Sequence, residues 1–173
     1  MNEEQAELLE PYRNERGLLN IYRTLAHNPA AARGFLGWGR YVLRQNPMDA
    51  RLRELAILRT GWLCRSGYEW TQHSRLARSI GMTDEEIERI KQGSTAEGWT
   101  SDEALVLRAA EELFADSHVS DATWDKLVES FGAEGTMNTV FVVAHYTQVS
   151  MILNSFGIQV EDGQTVDEEL RSG

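Results

Sequence analysis

The sequence predicts an all-α protein folded as a single domain, and three observations support this fold class. Apolar residues recur every three or four positions in most segments, and no segment alternates with period two over a convincing length. Capping residues precede these segments, and glycine or proline follows them. The chain has 173 residues, of which 42% are hydrophobic and 25% charged. These values are typical of one globular domain, which we place at 1–173.

The first helix with clear signals begins at Pro29, because proline suits the first turn of a helix. It continues to about residue 45 and stops before Pro47, since the residue before a proline avoids helical geometry. Asp49 then caps a second helix, about 50–65, in which apolar residues recur with helical spacing.

Gly67 separates this segment from a third helix, about 68–80, which ends at Gly81. A short fourth helix follows Thr83. Its start carries a capping box, in which threonine at the cap is followed three residues later by Glu86.

Thr100 opens another helix, and Ser120 caps one that reaches Gly132. The last long helix is predicted over about 133–156. The tail, 162–173, is polar, and we expect it to be frayed.

Charge and cysteine content exclude several classes of function. Acidic residues outnumber basic ones 27 to 17, so the formal net charge is −10 and nucleic-acid binding is disfavoured. The single cysteine, Cys64, forms no disulfide within the chain. The acidic N-terminus lacks the pattern of a signal peptide, and no apolar run approaches the length of a membrane span. We therefore expect a cytoplasmic protein that binds neither nucleic acid nor membrane.

Candidate functional residues concentrate around the start of the third helix. Glu69 and His73 are four residues apart and share a helix face, and Ser66 lies near the same stripe. Glu54 lies among apolar neighbours, so its carboxylate would need a polar partner if it is buried. His73 is the partner that we expect. The alternative is a surface pair of Glu69 and His73. Two ligands at this spacing are too weak a signal for a metal site, and we predict none.

The stretch from Leu52 to Ala77 resembles the carboxymuconolactone decarboxylase family, which includes the alkylhydroperoxidase D-like proteins. The pattern that carries the resemblance is Arg-Glu-Leu-Ala-Ile-Leu-Arg, followed by Tyr-Glu-Trp-x-x-His-x-x-x-Ala. The similar core covers about residues 30–157. The resemblance implies an alkylhydroperoxidase D-like helical bundle that assembles as a homo-oligomer, a trimer or hexamer in related proteins.

The peroxidase branch of that family carries a glutamate, two cysteines and a histidine at fixed spacing. On this chain the spacing selects Glu54, Ser66, Glu69 and His73, so serine and glutamate replace both cysteines. Thiol–disulfide cycling needs an attacking thiolate and a resolving partner. The resemblance therefore favours the decarboxylase branch over the peroxidase branch.

The favoured hypothesis is a cofactor-free enzyme that decarboxylates or isomerises a small organic acid or lactone. In it His73 transfers the proton, Glu54 orients the imidazole, Glu69 is a second carboxylate and Ser66 donates a hydrogen bond. An arginine would hold the substrate carboxylate, and the candidates are Arg53, Arg59 and Arg65. The expected substrate-binding residues are Tyr68, Trp70, Tyr146 and Arg65.

Two other functions remain open at this point. One is a thiol peroxidase that uses Cys64 alone, and the other is a non-catalytic oligomeric binding protein with the same fold. Arginine-rich interfaces would fit the second equally well. Core packing is the alternative role for each aromatic residue.

Overall fold

Helices form the architecture, as the spacing of apolar and capping residues predicts. The structure is a computed structural model that describes residues 2–13 and 17–171. The predicted domain and tail include residues 1, 14–16 and 172–173, which lie outside the described residues. Within the described residues there is no β-strand, so the all-α class is confirmed. The α-helices are α1 (Glu3–Leu9), α2 (Asn20–Leu25), α3 (Pro29–Arg40), α4 (Ala50–Leu63), α5 (Gly67–Ser79), α6 (Asp84–Ile90), α7 (Ser101–Asp116) and α8 (Asp121–Ser155).

Local sequence sets most helix boundaries. The carboxylate of Asp49 accepts hydrogen bonds from the first backbone amides of α4, and complete capping boxes start α6 at Thr83 and α7 at Thr100. A π-helical turn, Tyr41–Gln45, extends α3 to the predicted end. Gly132 interrupts α8 with a φ of +68°, at the boundary predicted between the last two helices.

Helix α4 is the central element of the bundle. Every residue from 54 to 61 is buried, and α4 packs against α5, α7 and α8. One apolar cluster joins Ala56 and Ile57 of α4 to Val142 and Tyr146 of α8. Because α4 is enclosed on all sides, any polar group in this stretch must find a partner inside the protein.

The connection between α4 and α5 is a tight turn that aligns the two helices. Arg65 has a φ of +52°, a left-handed conformation that a residue with a side chain adopts at some cost. Close packing also depends on Gly61, because a Cβ there would lie 3.3 Å from Cγ of Glu69. The turn therefore sets the early residues of α5 directly against α4.

The described part of the C-terminal tail, residues 162–171, is attached to the bundle, contrary to the expectation that the tail frays. Leu170 is buried in an apolar cluster with α4 and α5 residues. Lys91, at the end of α6, forms ion pairs with Asp167 at 2.8 Å and Glu169 at 3.0 Å. Polar composition suggested a free tail, but a single buried leucine and these ion pairs hold it in place.

Among the helices of the described residues, none combines the length and apolar character needed to cross a membrane.

Candidate active site

The imidazole of His73, on α5, lies between two buried carboxylates. Its Nδ1 is 2.7 Å from Oε2 of Glu54 on α4, and its Nε2 is 2.9 Å from Oε1 of Glu69 on α5. The exposed fractions are 8% for His73, 1% for Glu54 and 4% for Glu69. The structure thus brings together these three predicted residues, which we call the carboxylate–imidazole cluster.

The two contacts of the imidazole differ in kind. Glu54 accepts a hydrogen bond from Nδ1–H and so fixes the orientation of the ring. Oε1 of Glu69 is close to Nε2 but accepts no hydrogen bond from a described residue, because it lies off the N–H direction. The carboxylate of Glu69 therefore interacts with the imidazole at short range, and among the described residues no acceptor is well aligned with Nε2–H.

Two opposing effects determine the pKa of His73. Burial alone would lower it, because the charged ring loses its hydration. The charges and contacts of Glu54 and Glu69 outweigh burial and raise the pKa from 6.5 to about 10. His73 is therefore an imidazolium at neutral pH, and a proton on Nε2 is available to a basic atom.

Ser66 lies one turn before Glu69, at the N-cap of α5. Its side chain is completely buried, and its hydroxyl makes no hydrogen bond with a described residue. Leaving a buried hydroxyl unpaired costs about 1–3 kcal/mol. The hydroxyl of Ser66 can therefore still form a hydrogen bond, and the predicted bond to substrate stays a prediction.

Tyr146, on α8, packs against the cluster. Its ring centroid is 4.9 Å from that of His73, with the rings nearly perpendicular. Burial, with the charges of Glu69 and Glu54 adding to it, raises the pKa of Tyr146 well above its ordinary value. Tyr146 is therefore a neutral phenol beside the imidazolium, and its contact with substrate stays a prediction.

His145, next to Tyr146 on α8, is uncharged at neutral pH, in contrast to the protonated His73. Burial lowers the pKa of His145 to about 4, and its Nδ1 has no hydrogen-bond partner among the described residues. Its ring packs against those of Phe35 and Tyr146. His145 is thus a neutral imidazole at pH 7.

The other three predicted substrate-binding residues are engaged elsewhere. The Tyr68 hydroxyl donates a 2.7 Å hydrogen bond to Glu161, and Trp70 packs 5.2 Å from the ring of Trp62. Arg65 donates to a backbone carbonyl of the tail. None of the three forms a hydrogen bond or ion pair with the carboxylate–imidazole cluster in the described structure.

The remaining candidate arginines occupy different environments. Arg59 is held by Glu111 and by two backbone carbonyls at the end of α6. Arg53, directly before Glu54, donates a hydrogen bond from Nη1 to the carbonyl of Met48. Its charge also lowers the pKa of Tyr146, against the larger opposing effect of burial. Among the three candidate arginines, Arg53 is thus one whose charge acts on Tyr146.

Tyr22 of α2 is within reach of the charge of Glu69. The sequence did not predict it as a residue of the site. Burial raises its pKa, and the charge of Glu69 contributes to this increase. Tyr22 and Glu69 are 47 residues apart, so no local spacing pattern relates them.

Cys64 lies outside the cluster. It is half-buried, and burial raises the pKa of its thiol, although contacts with Ser150 and Thr147 oppose this. A thiol with a raised pKa is a poor nucleophile at neutral pH, because only the thiolate attacks.

The described residues contain no group of three or more histidine, cysteine, aspartate or glutamate side chains that could hold a metal ion. Within the cluster the two carboxylates face opposite nitrogens of one ring. They therefore cannot share a single ion with it.

Comparison with known proteins agrees with this architecture. The model of the carboxymuconolactone decarboxylase family matches residues 29–112, which include α4, α5 and the whole carboxylate–imidazole cluster. The chain has a carboxymuconolactone decarboxylase-like, alkylhydroperoxidase D-like fold. The resemblance found in the sequence is thereby confirmed. The family match ends within α7, so Tyr146 lies beyond it.

Solved structures extend the similarity over most of the chain. An alkylhydroperoxidase AhpD core from Ralstonia eutropha JMP134, an uncharacterized peroxidase-related protein, has a TM-score of 0.80 and 18% identity. The match covers 92% of this chain and 85% of that one. A peroxidase-related protein from Silicibacter sp. TM1040 has a TM-score of 0.78 and 11% identity, covering 90% and 82%.

A third similar structure is a cysteine-to-alanine variant of the debrominase Bmp8 in complex with 2,3,4-tribromopyrrole. Its TM-score is 0.73 at 18% identity, and the match covers 94% of this chain and 90% of that one. Among curated proteins, none matches the chain. At these identities the structural similarity establishes the fold alone.

Proposed function

We propose that the protein is a cofactor-free acid–base enzyme of the carboxymuconolactone decarboxylase type. It decarboxylates or isomerises a small organic acid or lactone. The observation that carries this proposal is the buried His73 imidazole, held on one side by Glu54 and approached on the other by Glu69. An imidazole fixed in orientation and protonated at neutral pH is suited to deliver a proton to a developing carbanion.

The proton transfer follows from the geometry of the ring. In a decarboxylation, the bond to the carboxylate breaks, carbon dioxide leaves, and its electron pair forms an enolate. Nε2–H of His73 then donates its proton to the enolate carbon, and the neutral imidazole recovers a proton from solvent. Nδ1 cannot take this role because its N–H group donates a hydrogen bond to Glu54. Ser66 donates a hydrogen bond to an oxygen of the substrate or intermediate.

The alternative function, a thiol peroxidase with the same fold, has less support. Its two cysteine positions are occupied by Ser66 and Glu69, and the thiol of Cys64 has a raised pKa. A serine hydroxyl and a carboxylate do not form a disulfide, so the redox cycle lacks both partners.

We also propose that the protein is a cytoplasmic homo-oligomer. Several large apolar side chains are exposed on the single chain, namely Trp38, Phe114, Trp124, Met137, Met151 and Phe156. Exposed apolar patches commonly mark contacts between subunits. Sedimentation velocity that finds only a monomer would contradict this part of the proposal.

Turnover of a panel of lactone carboxylates and small organic acids tests the catalytic proposal. We expect His73→Ala to lower kcat by about 10²–10⁴-fold, because this is the usual contribution of a positioned acid or base. The matched control is His118→Ala, which removes an exposed histidine and should leave turnover unchanged. Equal turnover by the His73→Ala variant would exclude histidine from the mechanism. Absence of turnover by the unmodified protein on the whole panel would favour a non-catalytic binding protein.

A further inference from the structure

The carboxylate–imidazole cluster is buried, so a substrate needs more room than the structure offers around it. All three of its side chains are buried, and the ring of Tyr146 packs against that of His73. A small molecule therefore reaches Nε2 of His73 only after part of the protein moves. The family match begins at residue 29, so helix α2 (Asn20–Leu25) precedes the matched core.

Helix α2 adjoins the cluster. Ile21 packs against the apolar core cluster that contains Tyr146, whose ring centroid lies 4.9 Å from that of His73. Burial raises the pKa of Tyr22, and Glu69 is near enough for its charge to add to this increase. Two successive residues of α2 therefore face the region that contains the cluster.

The contacts that hold α2 in place are few. The helix has six residues, none of them is buried, and its N-cap residue, Leu19, provides no side-chain cap. A helix this short is not stable in water by itself, so contacts with the rest of the chain must maintain it. Elements with little buried apolar surface are the ones that open at low cost while the rest of a protein stays folded.

Glu161, beyond the end of α8, supplies the missing cap of α2. Its Oε1 accepts a 2.9 Å hydrogen bond from the backbone N–H of Asn20, and the side chain of Asn20 donates a 3.0 Å bond to the carbonyl of Gln159. The same carboxylate accepts hydrogen bonds from Tyr68 at 2.7 Å and from Gln72 at 2.5 Å, both on α5. A negative charge at a helix N-terminus is favourable. One carboxylate therefore ties α2 to α5.

Glycines border both sides of this contact. Gly17 precedes α2 with a φ of +98°, and Gly157 and Gly163 flank the segment that carries Glu161, with φ values of +60° and +81°. Apart from chain neighbours, no atom of the described residues lies within 4 Å of a Cβ position at any of the three. Because glycine tolerates a wide range of backbone angles, the chain can rotate at these open positions.

We propose that α2 is a lid over the carboxylate–imidazole cluster and that Glu161 holds this lid closed. Opening breaks the two hydrogen bonds of Asn20 and leaves the contacts of Glu161 with α5 in place. The lid controls the access of a small molecule to His73, and this role rests on the proposed acid–base function. The opening itself is measurable without a substrate.

Exchange of the imidazole N–H protons of His73 with water, followed by NMR on the full chain at constant pH, measures the opening. Asn20→Pro deletes both hydrogen-bond donors of α2 in this contact. Proline suits the position, because Asn20 is the first helical residue and Leu19 before it is extended, with φ −62° and ψ 147°. We expect the exchange of the His73 protons to increase about tenfold or more, since a hydrogen bond to a charged group is lost.

A second variant and two controls complete the experiment. Glu161→Ala removes the acceptor of the same contact and should increase the exchange at His73 as well. Glu129→Ala removes an exposed carboxylate of α8 and should leave the exchange unchanged. The backbone amides of α4 are the internal reference, because the exchange of such core amides reports opening of the whole bundle.

Several results would overturn the inference. They are unchanged exchange at His73 in both variants, an increase in only one of them, and an increase that the amides of α4 share to the same extent. Failure of the proposed function is distinguishable, because His73→Ala would then retain turnover while Asn20→Pro still accelerated the exchange. Conversely, loss of turnover in His73→Ala with unchanged exchange in both variants would exclude the lid alone.

Discussion

Replacing Glu54 with glutamine should lower the pKa of His73, because the amide keeps the shape of the carboxylate but not its charge. Glu54 accepts a 2.7 Å hydrogen bond from Nδ1. A hydrogen bond to a charged group contributes about 1.5–3 kcal/mol. One pKa unit corresponds to about 1.4 kcal/mol, so the expected decrease is about one to two units. In this variant the charge of Glu69 should still keep the pKa of His73 above 6.5.

The same substitution should destabilise the protein in a defined pH range. The folded-state pKa of His73, about 10, exceeds its unfolded value of 6.5. The stabilisation is therefore complete below about pH 6.5 and is lost as the pH rises through about 10. We expect Glu54→Gln to lower the free energy of unfolding by about 1.5–3 kcal/mol at pH 6, and the difference to shrink above pH 10.

Nitrogen-detected NMR titration of the imidazoles measures the pKa directly. The chain has four histidines, and the His73 signals are assigned by their loss in His73→Gln. His145, whose pKa burial lowers to about 4, provides an internal reference. Glu111→Gln is the matched control, because Glu111 is hydrogen-bonded to Arg59 instead of the cluster. A wild-type His73 that titrates near 6.5, or an unchanged pKa in Glu54→Gln, would refute the electrostatic argument.

Three other predictions follow from contacts outside the cluster. Lys91→Met removes the ion pair with Asp167. Amide hydrogen exchange should therefore increase in the tail, while the amides of α4 keep their protection. Unchanged exchange in the tail would contradict the role of Lys91 in holding the tail to the bundle. Gly132→Ala places a side chain at a φ of +68° and a ψ of 179°, which essentially only glycine adopts. It should lower stability by about 1–3 kcal/mol in chemical denaturation, and an increase in stability would show that the break in α8 is not required. Cys64→Ser should leave turnover unchanged, because the thiol is not part of the cluster, and a loss of turnover would restore a role for sulfur.

Much of the helical framework could be predicted because its signals are local. Asp49, Thr83 and Thr100 cap the helices that they were expected to cap. Gly132 interrupts the chain at the predicted boundary. Capping and proline effects act within a few residues, so no tertiary contact was needed to locate them.

The tail and the arginines were harder to predict because their partners are distant in the sequence. Lys91 and Asp167 are 76 residues apart, and no spacing pattern connects them. Arg53, Arg59 and Arg65 carry the same charge and lie on one segment. Only their packing shows that Arg59 is paired internally, that Arg65 contacts the tail and that Nε of Arg53 has no partner among the described residues.

The sequence by itself determined the all-α class, most helix ends and the residue types of the cluster. It also placed Glu69 and His73 on one helix face, since four residues are about one helical turn. The tertiary structure decided that Glu54 faces Nδ1, that Glu69 faces Nε2 and that Tyr146 closes over the ring. These contacts depend on how α4, α5 and α8 pack together and on the rotamer of each side chain. Residues far apart in the sequence meet only through that packing.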